Sequence, residues 1–200
     1  MTTYSDIRYD MTFSTSATGI GGMVLLATEA ASASDTVDFT SLIDSTYKEY
    51  VFTFTDVHPE TDDVKLTFQG NAAGGSGYNE TITSTSFGAV HDEANTTAQV
   101  AYVAAGDQAQ GTSFQQLSSN SSIGADNDQS FSGYLHLFNP SSTTFVKHFI
   151  SRTQFISSSD FSVDDYHAGY FNTTSAIDEI QFKMSSDAID AGTFKMYGVL

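Results

Sequence analysis

The 200-residue sequence has no cysteine and no tryptophan, only two prolines, and 7 basic residues against 24 acidic ones. Without cysteine, disulfides, thiolate metal sites and cysteine nucleophiles are excluded, and stability must come from packing or association. Scarce proline leaves strands free to sit centrally in a sheet, because every backbone N–H can join a ladder. The shortage of cations leaves a formal net charge of −17. Such a chain repels phosphate backbones and anionic bilayers, so nucleic acid is not expected as a partner. Strong acidity favours solubility and suits salty surroundings, where screening acts within about 10 Å. Long apolar runs are missing too. The stretch GIGGMVLLA, within residues 19–31, is too short to span a bilayer, so no membrane insertion is expected. The opening MTTYSDIRYD has neither a basic start nor an apolar core, so no secretory leader is expected.

What is present in quantity is aromatic side chain, with 16 Phe and 10 Tyr. At about 25 cal/mol per Å² buried, that is enough apolar area for a real core. An ordered domain is therefore expected, even though Ser, Thr, Gly and Asn abound. The patterning is that of strands. YKEYVFTFT (47–55) alternates, with Tyr50, Phe52 and Phe54 on one face. VKLTFQ (64–69), residues 80–90 and QVAYVA (99–104) read as further strands. SFSGYLHLF (130–138), ended by Asn139-Pro140, and TTFVKHFISRTQF (143–155) read as a hairpin. Residues 166–171 add another strand. The ending AIDEIQFKMSSDAIDAGTFKMYGVL reads as two strands around a turn at Asp190-Ala191-Gly192. Residues 71–78 (NAAGGSGY) and 106–129 read as loops, the latter with room for one short helix. About ten short strands and no amphipathic helix predict an all-β fold. The expectation is an antiparallel β-sandwich, jelly-roll-like, with a short N-terminal arm. The domain plan is an arm over residues 1–22 and a sandwich over 23–200. In the arm, Tyr4, Ile7, Tyr9, Met11 and Phe13 form an apolar ladder suited to anchoring by strand addition.

Catalytic motifs are absent: there is no GxSxG, P-loop, GxGxxG before a helix, or HExxH. His136 and His148 fall on the two strands of the expected hairpin, where a cross-strand pair can bind a metal. Ordinary, satisfied or half-exposed sheet histidines are the preferred reading. Asp126-Asn127-Asp128 and Asp164-Asp165, read as loop carboxylates, offer hard oxygen ligands but no complete calcium pattern. No metal or cofactor is therefore assigned, and no enzyme is expected. Aromatics near predicted loops (Tyr78, Tyr102 and Tyr166) are candidate glycan contacts, with core or subunit-interface roles as the alternative.

Three stretches carry a family resemblance. STYKEYVFTFTDVHPETDDVKLTFQGNAAGGSGYNETIT, GADNDQSFSGYLHLFNPSSTTFVKHF and AGYFNTTSAIDEIQFKMSSDAIDAGTFKMYGVL together resemble the β-rich virion appendage proteins of marine bacteriophages. These are described as tail fibre or virion structural proteins. The resemblance spans residues 24 to 200. It implies a non-enzymatic virion structural protein on the particle exterior: a head decoration, a short fibre or a tail-attached knob. It further implies capsid or tail proteins as partners and a homotrimer. The alternative it leaves open is a carbohydrate-binding module that recognises a host-surface glycan.

Overall fold

The computed structural model describes residues 22–200. The arm residues Tyr4, Ile7, Tyr9, Met11 and Phe13 lie outside the described residues.

Among the described residues thirteen strands follow in chain order. They are β1 (Met23–Ser34), β2 (Val37–Phe39), β3 (Glu49–Pro59), β4 (Leu66–Ala72), β5 (Ile82–Asp92), β6 (Ala98–Tyr102) and β7 (Ala109–Gly111). After them come β8 (Gln115–Gln116), β9 (Phe131–Phe138), β10 (Lys147–Ile156), β11 (Phe161–Phe171), β12 (Ile177–Met184) and β13 (Ile189–Val199). Period-two patterning places their residues. In β10 every second residue from Lys147 to Phe155 is buried and those between are exposed. In β3, Tyr50, Phe52 and Phe54 point inward as the alternation requires. Asn139 has φ of 47° and opens the β9–β10 connection, a backbone state asparagine tolerates.

The strands form two antiparallel sheets. One has nine strands in the order β1-β13-β3-β9-β10-β11-β5-β6, with β7 also on β5; the other runs β2-β12-β4-β8. Eight of them make a jelly roll. The quartets β1-β13-β3-β9 and β2-β12-β4-β8 face each other, and the chain passes repeatedly from one to the other. The other five strands are inserted. β5, β6 and β7 lie between β4 and β8 in sequence, and β10 and β11 lie between β9 and β12. All five widen the first sheet.

The chain's ending differs from the expected hairpin. β12 pairs with β2 and β4 in the small sheet, whereas β13 pairs with β1 and β3 in the large one. The segment between them is therefore a crossover, and Asp190-Ala191-Gly192 lies inside β13, where its pairing with β3 shifts register. Alternation within each strand cannot distinguish a hairpin from a crossover, because both bury the same set of side chains.

Aromatic rings join the sheets. Phe182 of β12 lies 5.6 Å from Phe52, 5.2 Å from Phe54 and 5.6 Å from Phe194, all on the large sheet. Phe68 of β4 meets Phe149 of β10 edge-on at 5.1 Å. Each such pair contributes about 0.5–1.5 kcal/mol beyond its buried area.

Four strands cannot cover the inner face of nine. Residues 104–123 help close the gap, most of them within the stretch 106–129 that the sequence reads as a loop. They contain a 3₁₀ turn (Ala104–Gly106), β7, β8 and the fully buried Leu117 and Ile123. Thr153 of β10 donates to the Leu117 carbonyl at 2.6 Å, and Lys65 Nζ reaches the carbonyls of Ser118, Ser119 and Ser121. Its later part, residues 115–123, is polar because it satisfies buried polar groups, whereas Ala104, Ala105, Ala109, Gln110, Thr112 and Ser113 are exposed.

Candidate functional site

Two places in the structure gather chemistry-bearing side chains. The first is buried. Ser119 Oγ sits 2.9 Å from His167 Nε2 and 2.6 Å from Ser86 Oγ. Asp165 Oδ2 accepts from the backbone N–H of Ser119 at 2.6 Å and of Asn120 at 2.9 Å. Serine, histidine and aspartate thus meet, but not as a nucleophilic triad. His167 Nδ1 faces Ser151 Oγ at 3.4 Å, so the carboxylate does not orient the ring. His167 is 2% exposed and Asp165 0%. Burial, helped by the Lys65 charge, holds the imidazole neutral down to about 4. Burial also pushes the Asp165 carboxyl above its usual range, against the two N–H groups and Lys65, which pull it down. The cluster clamps the covering segment onto the large sheet. Gly88 lies opposite Asp165 in register, and a Cβ there would stand 2.1 Å from Asp165 Oδ1.

The second place is the outer face of the large sheet. Its register aligns one row across the strands. Lys195 of β13 lies opposite Thr53 of β3, which lies opposite Tyr134 of β9. Arg152 of β10 comes next, then Tyr166 of β11, Phe87 of β5 and Tyr102 of β6. Arg152 grips Asp164 with Nε at 3.0 Å and its terminal nitrogen at 2.9 Å, which keeps the guanidinium charged. The same guanidinium lies over the Tyr166 ring at 5.1 Å. Phe87 stacks on Tyr166 at 4.9 Å and 3°. The row beside it carries Leu25, Tyr197, Val51, His136, Ile150, Ala168 and Thr85. Ala168 is small, so hollows of about 390 and 320 Å³ open beside it, walled by Tyr170 and His148 on one side and Tyr166 and Tyr134 on the other.

The composition of this face departs from that of the molecule. Ten large hydrophobic residues are exposed among the described residues, and seven lie here: Met23, Leu25, Phe87, Val100, Tyr102, Tyr134 and Ile150. Its register rows contain Glu49 and Asp164 as the only carboxylates, with Lys195 and Arg152 as cations, out of 24 acidic residues in the chain.

The sequence-based candidates separate. Tyr102 and Tyr166 belong to the same row. Tyr166 lies in mid-strand rather than near a loop, and its ring faces are covered by Arg152 and Phe87. Asp164 and Asp165 likewise lie within β11, one on each face, rather than in a loop. Tyr102 is 60% exposed, and its hydroxyl donates to Asp107, which raises its pKa. Tyr78 is elsewhere, half-buried beside Glu179, Asp178 and Asp38, with its pKa raised by burial and those carboxylates. His136 lies opposite Ile150 and His148 opposite Tyr170, so the expected cross-strand histidine pair does not form. Among the described residues no group of three or more His, Asp or Glu could hold a metal ion. Phe87, Tyr134, Arg152 and Ile150 were not picked out from sequence. Alternation marks them as outward, but only strand order shows them to be neighbours.

No protein-family model matches the chain, and neither does any curated protein or solved structure.

Proposed function

We propose that this chain is a non-enzymatic structural protein of a bacteriophage virion, displayed on the particle exterior and acting through surface contacts. The observation that carries the reading is the aromatic, carboxylate-poor outer face on an otherwise strongly acidic jelly roll. Such a surface is built to be covered, and the fold also serves capsid and lectin domains, an analogy at the level of fold alone. In this reading residues 1–22 anchor the domain to capsid or tail proteins. The buried Ser119–His167 contact, closed to substrate, fits a contact role better than a catalytic one. The test is antibody labelling of intact particles viewed by electron microscopy. Label over the head or tail is expected; particles without label would retire the proposal. Deleting residues 2–18 should abolish incorporation while leaving the sandwich folded.

A second reading, recognition of a host-surface glycan, is favoured by Tyr102, whose exposed ring stands at the end of the row with Asp107 beside its hydroxyl. It predicts glycan binding that Tyr102→Ala removes. Binding unaffected by both Tyr102→Ala and Tyr78→Ala would count against it.

A further inference from the structure

We propose that the outer face of the large sheet docks against the same face of a second copy of this chain, across a two-fold axis. The inference deepens the contact role above by naming the partner.

Charge selects the occupant. A basic partner would be held better by any other surface of a molecule carrying a net charge of −17. A surface cleared of carboxylates instead suits a partner that is itself acidic, and a second copy is such a partner, always present at equal concentration. Charge also selects the geometry. Packing this face on a different surface of the copy would bury carboxylates without cations, at a desolvation cost. Face against face buries fewer of them, because the face carries few. Asp164 is held by Arg152 through two hydrogen bonds, and Asp107, at the end of the row, accepts from the Tyr102 hydroxyl. A self-complementary surface closes as a dimer.

Size and chemistry agree. Eight adjacent strands at about 4.8 Å spacing, and four residue rows along them, make a face of roughly 35 by 20–25 Å. That is close to the roughly 800 Å² per partner of a standard stable interface. Tyr and Arg, which dominate binding energy in such interfaces, stand at its centre as Tyr134, Arg152 and Tyr166. Because Arg152 and Phe87 close the faces of Tyr166, the row presents a wall of ring edges rather than an open platform for a sugar. The two-fold differs from the trimer that the family resemblance implies, since a ring of three needs two unlike surfaces.

The test is the solution mass of the full chain by sedimentation equilibrium at micromolar concentration, in enough salt to screen its charge. The mass of two chains is expected. Ile150→Glu and Phe87→Glu, at positions 43% and 46% exposed, should reduce it to one chain with unchanged circular dichroism. Phe145→Glu, at an exposed site off the face, should leave it at two. Because the chain has no cysteine, Ala168→Cys near the centre of the face should form an intermolecular disulfide on oxidation, whereas Leu42→Cys should not. A single-chain mass for the unmodified protein, a three-chain mass, or a two-chain mass indifferent to both charged variants would each overturn the proposal. These measurements need no particles. A two-chain mass alongside unlabelled virions would retire the virion reading and leave the dimer standing.

Discussion

At the scale of single residues, the buried polar cluster makes a prediction with a definite sign. His167 takes its proton at about 4 in the folded chain, against an ordinary value of 6.5. Between those values the unfolded chain binds the proton and the folded chain does not. Stability therefore falls as pH drops from 6.5 towards 4, by up to about 3 kcal/mol from this residue. Asp165 acts in the opposite sense. Its carboxyl is raised by burial, so the folded chain gains a proton first and acid relieves part of that cost. Lys65, whose own pKa burial lowers, faces both groups and pushes His167 further towards neutrality. Urea denaturation of the unmodified chain and of His167→Gln across this range separates the contributions. The variant should show a shallower loss towards acid, and equal slopes would show that His167 is not the group responsible. Little of this cluster is legible in sequence. Ser86, Ser119 and the Asp165–His167 pair of β11 are far apart along the chain, and no local pattern marks a polar residue as buried.

At the scale of elements, the decisive feature is the pairing of a narrow sheet with a wide one. β12 and β4 carry the rings that hold the layers together. Phe182 is fully buried and lies within 6.3 Å of Phe39, Phe52, Phe54, Phe68 and Phe194. Phe182→Ala should cost about 3–5 kcal/mol, as a large cavity among rings cannot collapse. Phe145→Ala, at a site 68% exposed, should stay within about 0.5 kcal/mol. Chemical denaturation of the two variants checks the contrast, and a loss below about 1 kcal/mol for Phe182→Ala would mean that the layers are not held there. The segment 104–123 belongs to the same problem of coverage. Its Ser and Gln residues look like those of a surface loop, yet Gln115 is fully buried and donates to the Gly106 carbonyl at 2.7 Å.

At the scale of the whole molecule, charge and its distribution matter most. A net charge of −17 destabilises the compact state by self-repulsion, and salt screens it. The thermal midpoint should therefore rise between low and near-marine ionic strength, measured by calorimetry at neutral pH. A flat or falling midpoint would show that the carboxylates are already locally compensated. The sequence by itself determined the all-β class, the inward faces of β3 and β10, the β9–β10 hairpin, and the dependence on packing in the absence of disulfides. These follow from period-two alternation, turn residues and composition, which are local or global properties of a string. Tertiary structure alone decided that the last two strands belong to opposite sheets, that Asp164 and Asp165 face opposite ways within a strand, and that residues 115–123 pack inward. It alone also gathered Phe87, Tyr134, Ile150, Arg152 and Tyr166 onto one face with few carboxylates. Neighbours across a sheet are set by strand order and register between distant segments, and alternation along any single strand is compatible with many such orders.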